Sequence, residues 1–195
     1  AIVETLSERK LGFTRNEISE KTGFTVGGTL TDALNALVAS DFVIKYHPFG
    51  LSKKEWYYKL VDPFCLFHIK FAASGDALNG FFWTQNNTSP RITVWRGFAF
   101  ENVCFNHIEQ IKSALGISGI STTQSAWSSR GGDEEGTQID LIIDRADNVV
   151  NMCELKFYSN DFNVENKYYR ILLSRQELLG GMISPKKVIH QTLVR

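Results

Sequence analysis

The stretch TQIDLIIDRADNVVNMCELKFY, residues 137–158, decides how the second half of the chain folds. Its opening, TQIDLIID, alternates and is rich in β-branched residues, which suit a pleated surface and predict a strand. DRADN follows with the residues of a turn, and VVNMCELKFY reads as the returning strand. Alternation sets Asp140 opposite in direction to Ile139 and Leu141. It sets Glu154 and Lys156 on one face of their strand, with Cys153 and Leu155 on the other. Asp140, Glu154 and Lys156 are therefore expected together on two adjacent strands.

Upstream, GFAFENVCFNHIEQIKSALGI (97–117) repeats Phe98, Cys104, Phe105, Ile108, Ile111 and Leu115 at three- and four-residue spacing, which predicts a helix of about four turns. Glu101 falls on or beside that apolar face, where an acid costs free energy unless it is paired or holds a metal. STTQSAWSSRGG (121–132) reads as a strand or edge running into a polar loop. Downstream, VENKYYRILLSRQELLGGM (164–182) predicts a helix with Lys167, Arg170 and Arg175 on its polar side and Tyr168, Ile171, Leu172 and Leu178 on its apolar side. Lys167 is placed either to look into the site across the sheet or as a plain surface lysine. PKKVIHQTLV (185–194) predicts a last strand.

Two carboxylates with a nearby backbone carbonyl suit a hard divalent cation such as Mg2+, with Mn2+ as a substitute. Such an ion polarises a phosphodiester and stabilises the charge that develops on its oxygens. A lysine beside it can orient or help deprotonate the attacking water. This assigns Asp140, Glu154, Lys156 and Glu101 as candidate catalytic residues, with Asp140, Glu154 and Glu101 as metal ligands. Acids and a lysine alternating out of a hairpin also describe a solvated edge, and D-x(13)-E-x-K recurs by chance.

The front of the chain reads differently. IVETLSE begins a short helix, and Thr14-x-x-Glu17 is a capping box opening EISEKTG, with Gly23 as its stop. TVGGTLTDALNALVASDFV carries Leu30, Leu34, Leu37 and Val38 on one stripe. Phe42 to Ile44 and EWYYKLV then form two strands around the turn HPFGLSK. Three short helices and a hairpin predict a winged helix over residues 1–60, with Lys53 and Lys54 near the wing tip as candidate nucleic-acid contacts, joined by Lys167 and Arg170 of the later helix. Residues 1–60 hold eight basic and seven acidic side chains, and the exposed face of the third helix offers Thr29, Thr31, Asp32 and Asn35 without a cation. A module that packs beside another domain is the competing reading. Residues 61–96 read as a linking segment, helical in part, in which Pro63 starts a helix, Phe64, Phe67, Ile69 and Phe71 bury, and His68 is structural.

Lys plus Arg and Asp plus Glu both total 21, so overall charge does not hold this chain to nucleic acid, although a local basic surface remains open. Cys65, Cys104 and Cys153 lack metal or redox spacing and are expected as free thiols. No run approaches the roughly 18 apolar residues of a membrane span, so a cytoplasmic protein is expected. Ala1 enters a helix-like run at once and HQTLVR closes without a tail, as in a fragment of a longer chain.

The order winged helix, PFCLFHIKF, GFAFENVCF and then GTQIDLIIDRADNVVNMCELKF resembles the C-terminal part of archaeal-type AAA+ ATPases, found also in Bacteroides-like bacteria. The resemblance implies a mixed α/β chain: a winged helix, then a domain over 97–195 related to the PD-(D/E)xK restriction-endonuclease fold. In that superfamily a first-helix Glu, a strand Asp and an E-x-K pair form the site, matching Glu101, Asp140, Glu154 and Lys156. It implies a DNA-binding and metal-dependent endonuclease module, or a non-catalytic regulatory or protein-interaction module, attached to an N-terminal ATPase domain. ATP binding and any oligomer formed through the ATPase would belong to that domain, since G-x-x-x-x-G-K-[ST] does not occur here. A winged-helix regulator with a ligand-sensing C-terminal domain would leave Glu154 and Lys156 without a reason.

Overall fold

A computed structural model describes residues 1–50, 55–73, 75, 79–128, 137–158, 163–183 and 185–195. The chain is mixed α/β with two sheets, and it divides into two compact units. One comprises Ala1–His47 and Lys53–Asn106, the other Pro48–Ser52 and His107–Arg195. Among the described residues no helix is long and apolar enough to cross a membrane.

The first unit opens with α1 (Ile2–Ser7), β1 (Phe13–Thr14), α2 (Arg15–Thr22) and α3 (Gly28–Ala39), followed by β2 (Val43–Tyr46) and β3 (Tyr57–Leu60). The capping box at α2 forms in full. Thr14 Oγ1 accepts from the Glu17 amide, and the Thr14 amide donates to Glu17 Oε2 at 2.7 Å. Gly23 closes the helix at φ +76°. The strands pair antiparallel in the order β1-β3-β2, and β3 is buried along its length. Gly12 enters β1 at φ +80°, and a Cβ there would stand 2.1 Å from the Tyr58 carbonyl oxygen, so only glycine fits. Leu6, Phe13, Ile18, Leu30, Leu34 and Leu60 make the core of this half.

The remainder of the first unit is α4 (Pro63–Phe67), a π-helical turn (His68–Ala72), α5 (Phe82–Asn86) and α6 (Pro90–Asn106). Asp62 caps α4 through the Cys65 amide at 2.6 Å, with Pro63 at the first helical position. Leu66 takes the inward face of this short helix, so Phe64, expected to bury, is 72% exposed, and His68 is exposed as well. Phe71, Phe82 and Ile92 form a second core with Phe67 and Trp95 against it. The sequence reading begins a new domain at residue 97, but that point lies inside α6. Phe98 packs on the first core, the Asn102 amide donates to the Leu60 carbonyl at 3.3 Å, and Phe105 meets Tyr46 edge-on. Those contacts bind residues 97–106 to the first unit. The long helix expected over 97–115 breaks at His107, and α7 (Ile108–Ala114) opens the second unit.

In the second unit β4 (Thr122–Ser128), β5 (Gln138–Arg145) and β6 (Val149–Leu155) run antiparallel. α8 (Asn166–Met182) then returns the chain to β7 (Val188–Val194), parallel to β6. The sheet order is β4-β5-β6-β7, which leaves β6 central and buried on both faces. Ile139, Ile142, Val150 and Met152 pack there against Leu179 and Ile183, with Phe49, Trp127 and Ile189 around them. Phe49 is tied to this unit by its amide, which donates to the Ala126 carbonyl at 3.0 Å.

Candidate functional site

The pairing of β5 with β6 runs from Asp144–Val150 to Leu141–Cys153 and ends one residue short of Asp140 and Glu154. Beyond Leu141–Cys153 each strand keeps only its other neighbour. β5 continues against β4 through Trp127–Ile139, and β6 against β7 through Leu155–Val194. The Asp140 side chain bridges the divergence: its Oδ2 accepts from the Leu155 amide at 3.2 Å and its Oδ1 from the Gln138 side chain at 3.2 Å.

Glu154 lies on the central strand at 7% exposure, where an isolated carboxylate would be strongly disfavoured. Three donors answer it. Lys156 Nζ stands 2.9 Å from Oε1, and the Tyr168 hydroxyl donates to the same oxygen. Arg175 Nη1 donates to Oε2 at 2.7 Å, while Arg175 Nε donates to Thr137 Oγ1 at 3.1 Å, which fixes the guanidinium between α8 and the start of β5. Glu154 thus stands between two cations, with Asp140 held at the amide of the next residue, Leu155.

These contacts decide the protonation states. Burial opposes the charge on Lys156, but its hydrogen bonds with Tyr168 and Glu154 and the Glu154 charge outweigh that and hold the ammonium well above its ordinary range. Burial and the bond to Glu154 push the Tyr168 phenol up, against a smaller opposing effect of Lys156. At neutral pH Lys156 is a fixed cation and Tyr168 a neutral donor. Lys156 in this arrangement orients and neutralises; it does not accept a proton.

The expected metal ligands can be tested against this donor set. Glu101 belongs to the first unit, where its Oε1 accepts from Lys10 Nζ at 2.7 Å. Both oxygens of Glu154 are held by positive or O–H donors. Mg2+ gives up its waters reluctantly and takes one or two carboxylates in near-ideal octahedral geometry. Reaching Glu154 would require displacing Arg175, Lys156 or both, and would set a divalent charge beside two fixed cations. The arrangement as it stands does not fit the ion. Among the described residues no three His, Cys, Asp or Glu side chains form a metal-holding group.

The remaining expected contacts separate. Lys53 and Lys54 lie outside the described residues. Lys167 and Arg170 are exposed on α8, and it is Tyr168 and Arg175, two turns apart, that reach Glu154. Both share a stripe with the buried Leu172 and Leu179, at spacings of four, three and four residues. That stripe is the signal by which the sequence could have placed Arg175 toward the sheet, and Tyr168 with it as a donor rather than as apolar filling. The three cysteines are free thiols, and burial with the nearby Asp62 pushes Cys65 up to about 11. No family model, curated protein or solved structure matches this chain.

Proposed function

We propose that this chain is the DNA-binding C-terminal region of a cytoplasmic AAA+ ATPase, a winged helix followed by a PD-(D/E)xK nuclease-like module that holds DNA without cleaving it. The observation that carries the reading is the state of Glu154. The helix, three antiparallel strands, helix and parallel strand of the second unit are consistent with the nuclease-like topology. The acid, acid and lysine expected of such a site come together, yet Arg175 and Tyr168 complete the coordination of Glu154 from within the protein. An acid saturated in this way supports a structural and electrostatic role beside bound phosphates, with Lys167 and Arg170 exposed on the same helix.

One observation favours a second reading, a Mg2+-dependent endonuclease. Asp140 accepts from the amide next to Glu154 where the β5–β6 ladder ends, with Lys156 on Glu154, and removal of Arg175 would free one oxygen of Glu154. The two readings separate in an assay of duplex DNA binding and nicking in Mg2+ or Mn2+, comparing the wild-type chain with Asp140→Ala and Lys156→Ala. Binding with intact DNA in all three supports the non-cleaving module. Nicking by the wild type that is lost in both variants supports the nuclease and rejects the first reading.

A further inference from the structure

The first unit carries a polar cleft of about 420 Å3 bounded by the start of α2, the exposed face of α3, and Lys45, Glu55, Trp56 and Tyr58 on and beside β2 and β3. Two cations from different elements converge on it, Arg15 at the first position of α2 and Lys45 on β2. Elsewhere in this unit Arg9 holds Glu17, Lys10 holds Glu101 and Lys21 holds Glu8. Arg15 and Lys45 differ. Arg15 Nη1 donates to Thr31 Oγ1 at 3.1 Å, and Lys45 Nζ lies 4.7 Å from the Trp56 ring centre. Among the described residues neither has a carboxylate within ion-pairing distance. Asn35 of α3 adds an amide, and Trp56 remains 44% exposed while its ring packs against His47 at 3.7 Å between centres.

We propose that this cleft is a phosphodiester subsite that takes the backbone of a nucleic-acid strand. α3 has no cation of its own on its exposed face, which weighs against phosphate contact when the helix is considered alone. The fold supplies two from the neighbouring elements and brings them into one cleft with Thr31 and Asn35, which can hydrogen-bond phosphate or a base edge. An exposed indole beside them gives a sugar or base a surface to pack on. Among the described residues Glu55 is the one acid lining the cleft, and with Arg15 and Lys45 their charges sum to one net positive. Cations, amides and an aromatic in one cleft suit a nucleotide better than an acidic peptide, which needs no ring. The proposal rests on the DNA-binding reading above but uses no residue of the Asp140–Glu154 cluster.

The test is fluorescence anisotropy of the full chain with labelled single-stranded and duplex oligonucleotides and with a labelled poly-Glu peptide, across a salt series. Arg15→Gln with Lys45→Gln should weaken oligonucleotide binding at least about tenfold at low salt and flatten its salt dependence by roughly two charges. Glu55→Gln should tighten binding roughly threefold by removing a like charge from the phosphate path, a gain that misfolding cannot produce. Whether the single strand or the duplex binds more tightly identifies the form taken. If the wild type binds an oligonucleotide and the double variant binds it equally, the subsite is overturned while the DNA-binding reading stands. Loss in Lys167→Gln with Arg170→Gln alone would place the contact on the second unit. Binding of poly-Glu with the same dependence, without oligonucleotide binding, overturns the nucleic-acid assignment in favour of an acidic partner. No binding of any probe overturns both.

Discussion

Two pairs of cations, one in each unit, are used in opposite ways. In the second unit Arg175 and Lys156 turn inward to Glu154, which is buried on a central strand. In the first, Arg15 and Lys45 face an open cleft. The difference follows from where each carboxylate sits. An acid at 7% exposure has lost its hydration and must be answered by the protein, so the cations near it become structural. A cation on an exposed face keeps its water and stays available to a ligand.

That contrast can be broken at its strongest point first. Arg175→Met should lower stability by about 3 kcal/mol, because it leaves a buried carboxylate short of one partner while Lys156 remains. A shift of the urea midpoint without a change in slope would report it. Tyr168→Phe removes one hydroxyl from the other oxygen of Glu154 and should cost about 1.5 kcal/mol by the same measurement, the range for a hydrogen bond to a charged group. Thr14→Ala, which opens the capping box of α2, should cost about 1 kcal/mol.

A smaller effect is expected from pH. Burial raises the Glu17 carboxyl, but the Arg9 and Thr14 hydrogen bonds and the Arg9 charge outweigh it and hold Glu17 below its ordinary value. A group lowered on folding contributes stability above its unfolded pKa, and that contribution is lost as pH falls through the folded value. The melting temperature of the wild type should therefore fall further than that of Glu17→Gln as pH drops below about 4.5, with the difference gone once both values are passed. Least of all, Arg15→Gln and Lys45→Gln should each change stability by no more than about 0.5 kcal/mol, as befits exposed side chains. A large loss in either would make the cleft cations structural and erase the contrast.

How much of this was legible in the sequence depends on the range of the interaction. The capping box at Thr14 and Glu17, the stop at Gly23 and the β5–β6 hairpin rest on neighbours within one element or one turn, where spacing fixes geometry. The approach of Asp140 to the Leu155 amide beside Glu154 follows from that hairpin. The partners of Glu154 do not, because they depend on how α8 is rotated against the sheet, and Tyr168 serves equally well as an apolar residue by spacing. The limit of the first unit was hidden for a similar reason. The repeat in 97–115 runs across the break at His107, and only packing shows that Phe98, Asn102 and Phe105 meet the first core. The cleft of Arg15 and Lys45 joins three elements distant in sequence, which no local pattern encodes.

The most direct measurement is a Mn2+ titration of the wild-type chain followed by electron paramagnetic resonance and calorimetry, without DNA. If Glu154 is satisfied by Arg175, Lys156 and Tyr168, free Mn2+ should persist with no stoichiometric site into the millimolar range. One Mn2+ bound per chain at micromolar concentration, and lost in Asp140→Ala, would contradict the account and establish a metal centre at the divergence of β5 and β6.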